Sequence, residues 1–257
     1  MSGMLQPEVL VLGGGNVVAR GVVGALIEAG SPVLVVDADA DALVRMQAEF
    51  GDRPAFDTLP GSVADEAAAV ALAARLALRR RPLTAVVANL EGASRHGRLL
   101  DLPADALGQV LEQDLLPHLA AARHLLPLLA EADLGGRYVM VGSPCALRAW
   151  SGHGASSVAG TAVHMLAQVL HEEAQSLGVR VQFLALGQPV RNPDRIADAC
   201  PEWLDAAAVG RAAVRLIAGR GVPDQALVAI DRQLAARPVT GLMAPVSLPF
   251  HPFEVSP

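Results

Sequence analysis

Lysine is missing from this chain: all 20 of its cationic residues are arginine. A GC-rich coding bias accounts for this without any functional reason. The consequence still holds, because no mechanism that needs a lysine ammonium or a Schiff base is open to the protein. Tyrosine occurs once, at Tyr138, and the two cysteines, Cys145 and Cys200, form neither a CxxC pair nor a disulfide framework. No HxxxH pair exists, His164 and His171 lie two helical turns apart, and His118 and His124 do not share a helix face. No metal site is therefore expected. Apolar runs are broken by Gly, Pro or charge well short of the about 18 residues that span a bilayer. The opening "MSGMLQPEVL" has no basic segment leading into an apolar one, so no export signal is expected. A basic excess is lacking too. The formal charge is −6 and the isoelectric point is near 5.6, which argues against a nucleic acid or an anionic membrane as partner. A soluble, cytoplasmic protein is the expectation.

What is present is a chain of 257 residues, 52% hydrophobic and 18% charged, enough for one large core. Short apolar runs alternate with Ala-rich segments from end to end. Residues 8–13, 32–37, 84–89, 137–142, 179–186 and 226–231 read as strands, with a weaker one at 54–57. Their nearly continuous hydrophobicity suits strands covered on both faces. Helices are expected at 16–29, 39–50, 65–80, 104–131, 153–177 and 205–219, and the arginines at 79–81 read as a solvated cap on the third. This alternation predicts an α/β protein, a Rossmann-like doubly wound parallel sheet with helices on both faces. The domain is expected to span 1–237, and 238–257, with five prolines, reads as a Pro-rich C-terminal tail.

The first strand runs into "GGGN" and then a helix, where Gly13, Gly14 and Gly15 let a backbone approach a diphosphate. Asp37 ends the second strand, placed to accept from an adenosine ribose and to repel a 2′-phosphate, so NAD is expected over NADP. The simpler alternative is a glycine turn followed by an Asp that caps "DADADA".

On these residues residues 7–232 resemble the short-chain dehydrogenase/reductase family. The family's TGxxxGxG turn reads "LGGGNVVA" here, with Val17 and Ala19 at its second and third glycines. Val17 places a branched side chain where diphosphate oxygens would come close. Ser62 stands for the acid that contacts adenine, and "ANLE" keeps only Asn89 of the family's NNAG. Asp114 stands at the asparagine that holds a relay water, and Asn192 falls near the threonine that contacts nicotinamide.

The resemblance further implies a Ser that polarises the substrate carbonyl, a Tyr thirteen residues on and a Lys four beyond it. Ser143 matches the first, but Ser156 and Gly160 occupy the other two positions. A serine hydroxyl is a far weaker acid than a phenol, and its short side chain does not reach as far. His153, in "SGHGASS", is the candidate substitute proton carrier, and Ser143, His153 and Asp114 are expected to converge if it serves. The plainer reading makes His153 a polar loop residue and Cys145 an ordinary free thiol.

Three functions stay open: a non-catalytic binding or assembly member, an NAD-linked oxidoreductase using Ser143 with His153 or water, and a cofactor-independent lyase or isomerase. A small-molecule ligand is compatible with each. The resemblance implies a homodimer or homotetramer, built on the helices at 104–131 and 153–177, with Ala120, Ala121, Ala122 and Ala167 allowing close approach. A catalytically intact relative is a further candidate partner.

Overall fold

The computed structural model describes residues 6–90, 92, 96–132, 135–192, 200, 202–219 and 221–230. The tail at 238–257 lies outside them. Seven strands form one sheet: β1 Glu8–Leu12, β2 Val33–Asp37, β3 Phe56–Pro60, β4 Leu83–Ala88, β5 Arg137–Val141, β6 Arg180–Ala185 and β7 Leu227–Ala229. Their order is β3-β2-β1-β4-β5-β6-β7, and every pairing is parallel. The chain reverses direction across the sheet between β1 and β4, so the carboxyl ends of those two strands frame a crevice.

The helices are α1 Val17–Glu28, α2 Ala40–Phe50, α3 Glu66–Ala77, α4 Ala104–Asp114, α5 Leu116–Ala130, α6 Gly154–Ala174 and α7 Ala206–Ala218. One core joins α1, α2 and α7 to one face of the sheet, and a second joins α3, α5 and α6 to the other. Several helices begin where a side chain satisfies an orphan amide: Asn16 accepts from Ala19, Asp39 from Asp41 and Asp65 from Ala68.

Two expectations need correction. The helix expected at 104–131 is two helices, broken at Leu115. Pro117, in the first turn of α5, has no N–H for the ladder and disfavours helical backbone in the residue before it. Ala120, Ala121, Ala122 and Ala167 are not surface contacts either. They are buried in the subunit's own core, leaving Leu116, Leu119, Val158, Met165 and Val169 as the large exposed apolar residues of α5 and α6. The arginine cap also proves more specific than expected. Arg79 donates to both carboxylate oxygens of Glu8, at 2.9 and 3.0 Å, and to Asp57 at 3.0 Å. Glu8 is buried, so this pair fastens the end of α3 to β1.

Candidate functional site

The turn after β1 is held from three sides. Gly13 has φ +83°, and a Cβ there would collide with the Asn89 carbonyl oxygen, so only glycine fits. Asn89, buried at the end of β4, donates to Asn16 Oδ1 at 2.8 Å and to the Gly13 carbonyl at 3.4 Å. Asp37 closes the third side: its Oδ2 accepts from the Gly14 amide at 2.6 Å and its Oδ1 from the Asp39 amide at 2.8 Å. Asp37 thus caps the turn, and it also lines the groove above β1 and β2.

That groove is bordered by Gly13, Gly15, Asp37, Ser62 and Asn89. Val17 is not among its lining residues; it is half-buried against the α1–α2–α7 core and borders a neighbouring depression with Gly14, Gly15 and Asn192.

Beside the groove lies a small pocket of about 60 Å3, and Leu90 and Gly92 line both. Asp114, from the last turn of α4, borders the pocket with its carboxylate packed so close to Gly92 that no Cβ fits there. Ser143, two residues past the end of β5, accepts from the Cys145 amide at 3.3 Å, capping a short 3-10 turn at Pro144–Ala146. Ser156 and Gly160 face the pocket from the first half of α6. A Cβ on Gly160 would sit 3.1–3.3 Å from the Ala146 backbone and methyl, so the turn fills the space a longer side chain would leave by.

Of the sequence candidates, Ser143, Asp114 and Ser156 do come together here. His153 does not. It precedes α6 and packs edge-on against His96, with ring centroids 4.5 Å apart, and against Trp150 at 6.1 Å. The histidine that does line the pocket is His118, in the first turn of α5. It is buried to 3% exposure and its Nδ1 has no hydrogen-bond partner. Burial pushes its pKa down to about 4, so the ring is neutral near pH 7. No local spacing singles it out, because Asp114 and His118, four residues apart, belong to two different helices. Cys145 is buried at the pocket wall. Tyr138 is fully buried inside β5, and burial pushes its phenol well above the usual range.

With this geometry in place, residues 7–190 match the short chain dehydrogenase family. The chain belongs to that family. Among curated proteins, this short-chain dehydrogenase is 27% identical over 202 residues to the rhamnolipids biosynthesis 3-oxoacyl-[acyl-carrier-protein] reductase of Pseudomonas aeruginosa, covering 77% of this chain and 78% of that one. Its fold is similar to a short-chain type dehydrogenase/reductase from Mycobacterium ulcerans, with TM-score 0.77, 22% identity and 90% of each chain covered. A P. aeruginosa RhlG/NADP active-site complex gives TM-score 0.74 at 23% identity, over 89% of this chain and 96% of that one. A short chain oxidoreductase from P. aeruginosa PAO1 with an atypical catalytic center gives 0.75 at 19%, over 90% and 98%. Among the described residues, no group of His, Cys, Asp or Glu could hold a metal, and no helix is long and apolar enough to cross a membrane.

Proposed function

We propose that this short-chain dehydrogenase does not carry out the family's Tyr/Lys hydride-transfer step and serves as a small-molecule-binding or assembly member. The observation that carries the reading is the wall that α6 presents to the pocket. Ser156 and Gly160 stand where the resemblance places a phenol and an ammonium, and Gly160 is closed off by the Ala146 turn. No lysine exists elsewhere to replace the ammonium, and the one tyrosine is sealed inside β5. Its exposed Leu116, Leu119, Met165 and Val169 suit a homodimer or homotetramer, or pairing with a catalytically intact relative.

The residues fit a dinucleotide only in part. The adenosine end has Asp37 and an open groove, but Asp37 already accepts two backbone amides, and among the described residues lining the pocket there is no cation to hold a ribose. No step is therefore routed through a nicotinamide. Titration calorimetry with NAD+ and NADH, paired with an NADH-oxidation assay on simple ketones, tests the reading. Weak or absent binding and no turnover are expected, and brisk NADH oxidation by the unmodified protein would overturn it.

A second reading is favoured by the junction of groove and pocket at Leu90 and Gly92. In it the protein is an NAD-linked oxidoreductase in which Ser143 polarises the substrate and His118 or water, in place of His153, handles the proton. The same assay separates the two.

A further inference from the structure

The amino ends of β5 and β6 carry two arginines on the edge of the sheet opposite the pocket. Arg137 and Arg180 are register partners in adjacent parallel strands, so their side chains leave the same face, the one that α7 covers. We propose that this pair is a binding site for a small oxyanion of the phosphate class, remote from the groove and the pocket. Ser143, six residues on from Arg137, is roughly 20 Å away at the rise of a strand.

Three observations point this way. Like charges set directly opposite on neighbouring strands destabilise a sheet, and an anion between them reverses the sign. Among the described residues, the carboxylate near enough to act on Arg137 is Asp224, which Arg180 already engages at 2.9 Å. The hydrogen bonding of Arg137 comes second. Among the described residues its one hydrogen bond runs from Nη1 to the Gly136 carbonyl at 3.3 Å, and its buried Nε has no partner. Burial, and then the charge of Arg180, hold its pKa below the usual arginine range, yet the guanidinium stays charged near neutral pH. The space comes third, and glycine keeps it open. Gly135 and Gly219 have φ +76° and +66°; a Cβ on the first would stand 3.7 Å from Nη1, and on the second 3.1 Å from Nη2. Arg137 is half-buried and the Arg180 side chain keeps 26% of its surface exposed, so an ion from solvent reaches both. A tetrahedral oxyanion has acceptors enough for both guanidinium forks.

The test uses inorganic phosphate and acetate, with sodium chloride holding the ionic strength constant. The full chain is labelled with 15N, so that backbone amides and arginine Nε–H groups are followed together by NMR at neutral pH. Phosphate is expected to shift the Arg137 and Arg180 Nε signals, and acetate, with two oxygens, to bind more weakly. Arg137→Gln should weaken phosphate binding about tenfold or more, the worth of one charge-assisted hydrogen bond. It should also remove most of the rise in Tm that phosphate gives the unmodified chain. The proposal is overturned if phosphate leaves both arginine signals unmoved, or if it moves the Gly14 and Gly15 amides instead. Acetate binding as tightly as phosphate would overturn the assigned class of ligand. The proposal falls too if Arg137→Gln lowers Tm equally with and without phosphate, which would make the arginine a cap on the negative end of α7 and nothing more. The Nε signals of the unmodified protein need no variant to fold.

Discussion

Replacing His118 with phenylalanine should make this protein more stable, and increasingly so as the pH falls. Phenylalanine keeps the ring's volume and removes a buried nitrogen that has no partner. Leaving such a group unsatisfied costs about 1–3 kcal/mol, and the lower end is appropriate beside a pocket that water can enter. A gain of about 1 kcal/mol at pH 7.5 corresponds to a rise of about 2–4 °C in Tm for a chain of this size. The pH dependence follows from burial, which lowers the pKa from 6.5 to about 4. Above pH 6.5 the ring is neutral both folded and unfolded, and nothing is lost. Between 6.5 and 4 the unfolded chain takes up a proton that the folded one refuses, so native stability drains away as the pH drops. A gap of about 2.5 pH units at 1.36 kcal/mol each makes the full loss about 3 kcal/mol. Urea unfolding of both proteins from about pH 7.5 to about pH 4.5 isolates this group, because every other titration is shared. The difference in favour of the variant should widen from about 1 to about 3–4 kcal/mol. A variant that is less stable at neutral pH, with curves that stay parallel on acidification, would refute the reasoning.

Thermal-shift assays should show little stabilisation by NAD and none by NADP, because the Asp37 carboxylate lines the groove where a 2′-phosphate would sit; a large shift with micromolar NADP would contradict this. Asp37→Ala, which frees the Gly14 and Asp39 amides, should lower stability by about 1–3 kcal/mol in urea unfolding. Restoring Ser156→Tyr with Gly160→Lys should not yield a ketone reductase, since the new Cβ at 160 presses on the Ala146 turn. Light scattering should give a dimer or tetramer, and Leu119→Glu with Met165→Glu, both at exposed positions, should shift it toward monomer without lowering the monomer's stability. Arg79→Ala should destabilise by about 2–3 kcal/mol, because it strands the buried Glu8 carboxylate; Glu8→Gln in that background should recover part of the loss.

Hydrophobic runs at near-strand length, alternating with Ala-rich segments, determined the layers of this fold without help from tertiary contacts. Glycine chemistry at Gly13 and the aspartates that begin helices are equally local, because a backbone dihedral and a cap depend only on near neighbours. Of the three residues expected to converge, Ser143 and Asp114 do border one pocket, together with Ser156, while His153 does not. The break at Leu115 was carried by Pro117 in plain sight, but a run of leucines and alanines hid it within one apolar pattern. Only the folded chain decided between His153 and His118. Both are histidines at helix starts, and what separates them is which side of its helix each occupies once the apolar faces are buried. His118, in the first turn of α5, lines the pocket, whereas His153, just ahead of α6, packs against His96 and Trp150. Helix orientation is set by packing against residues far away in sequence, and that is information no local spacing contains.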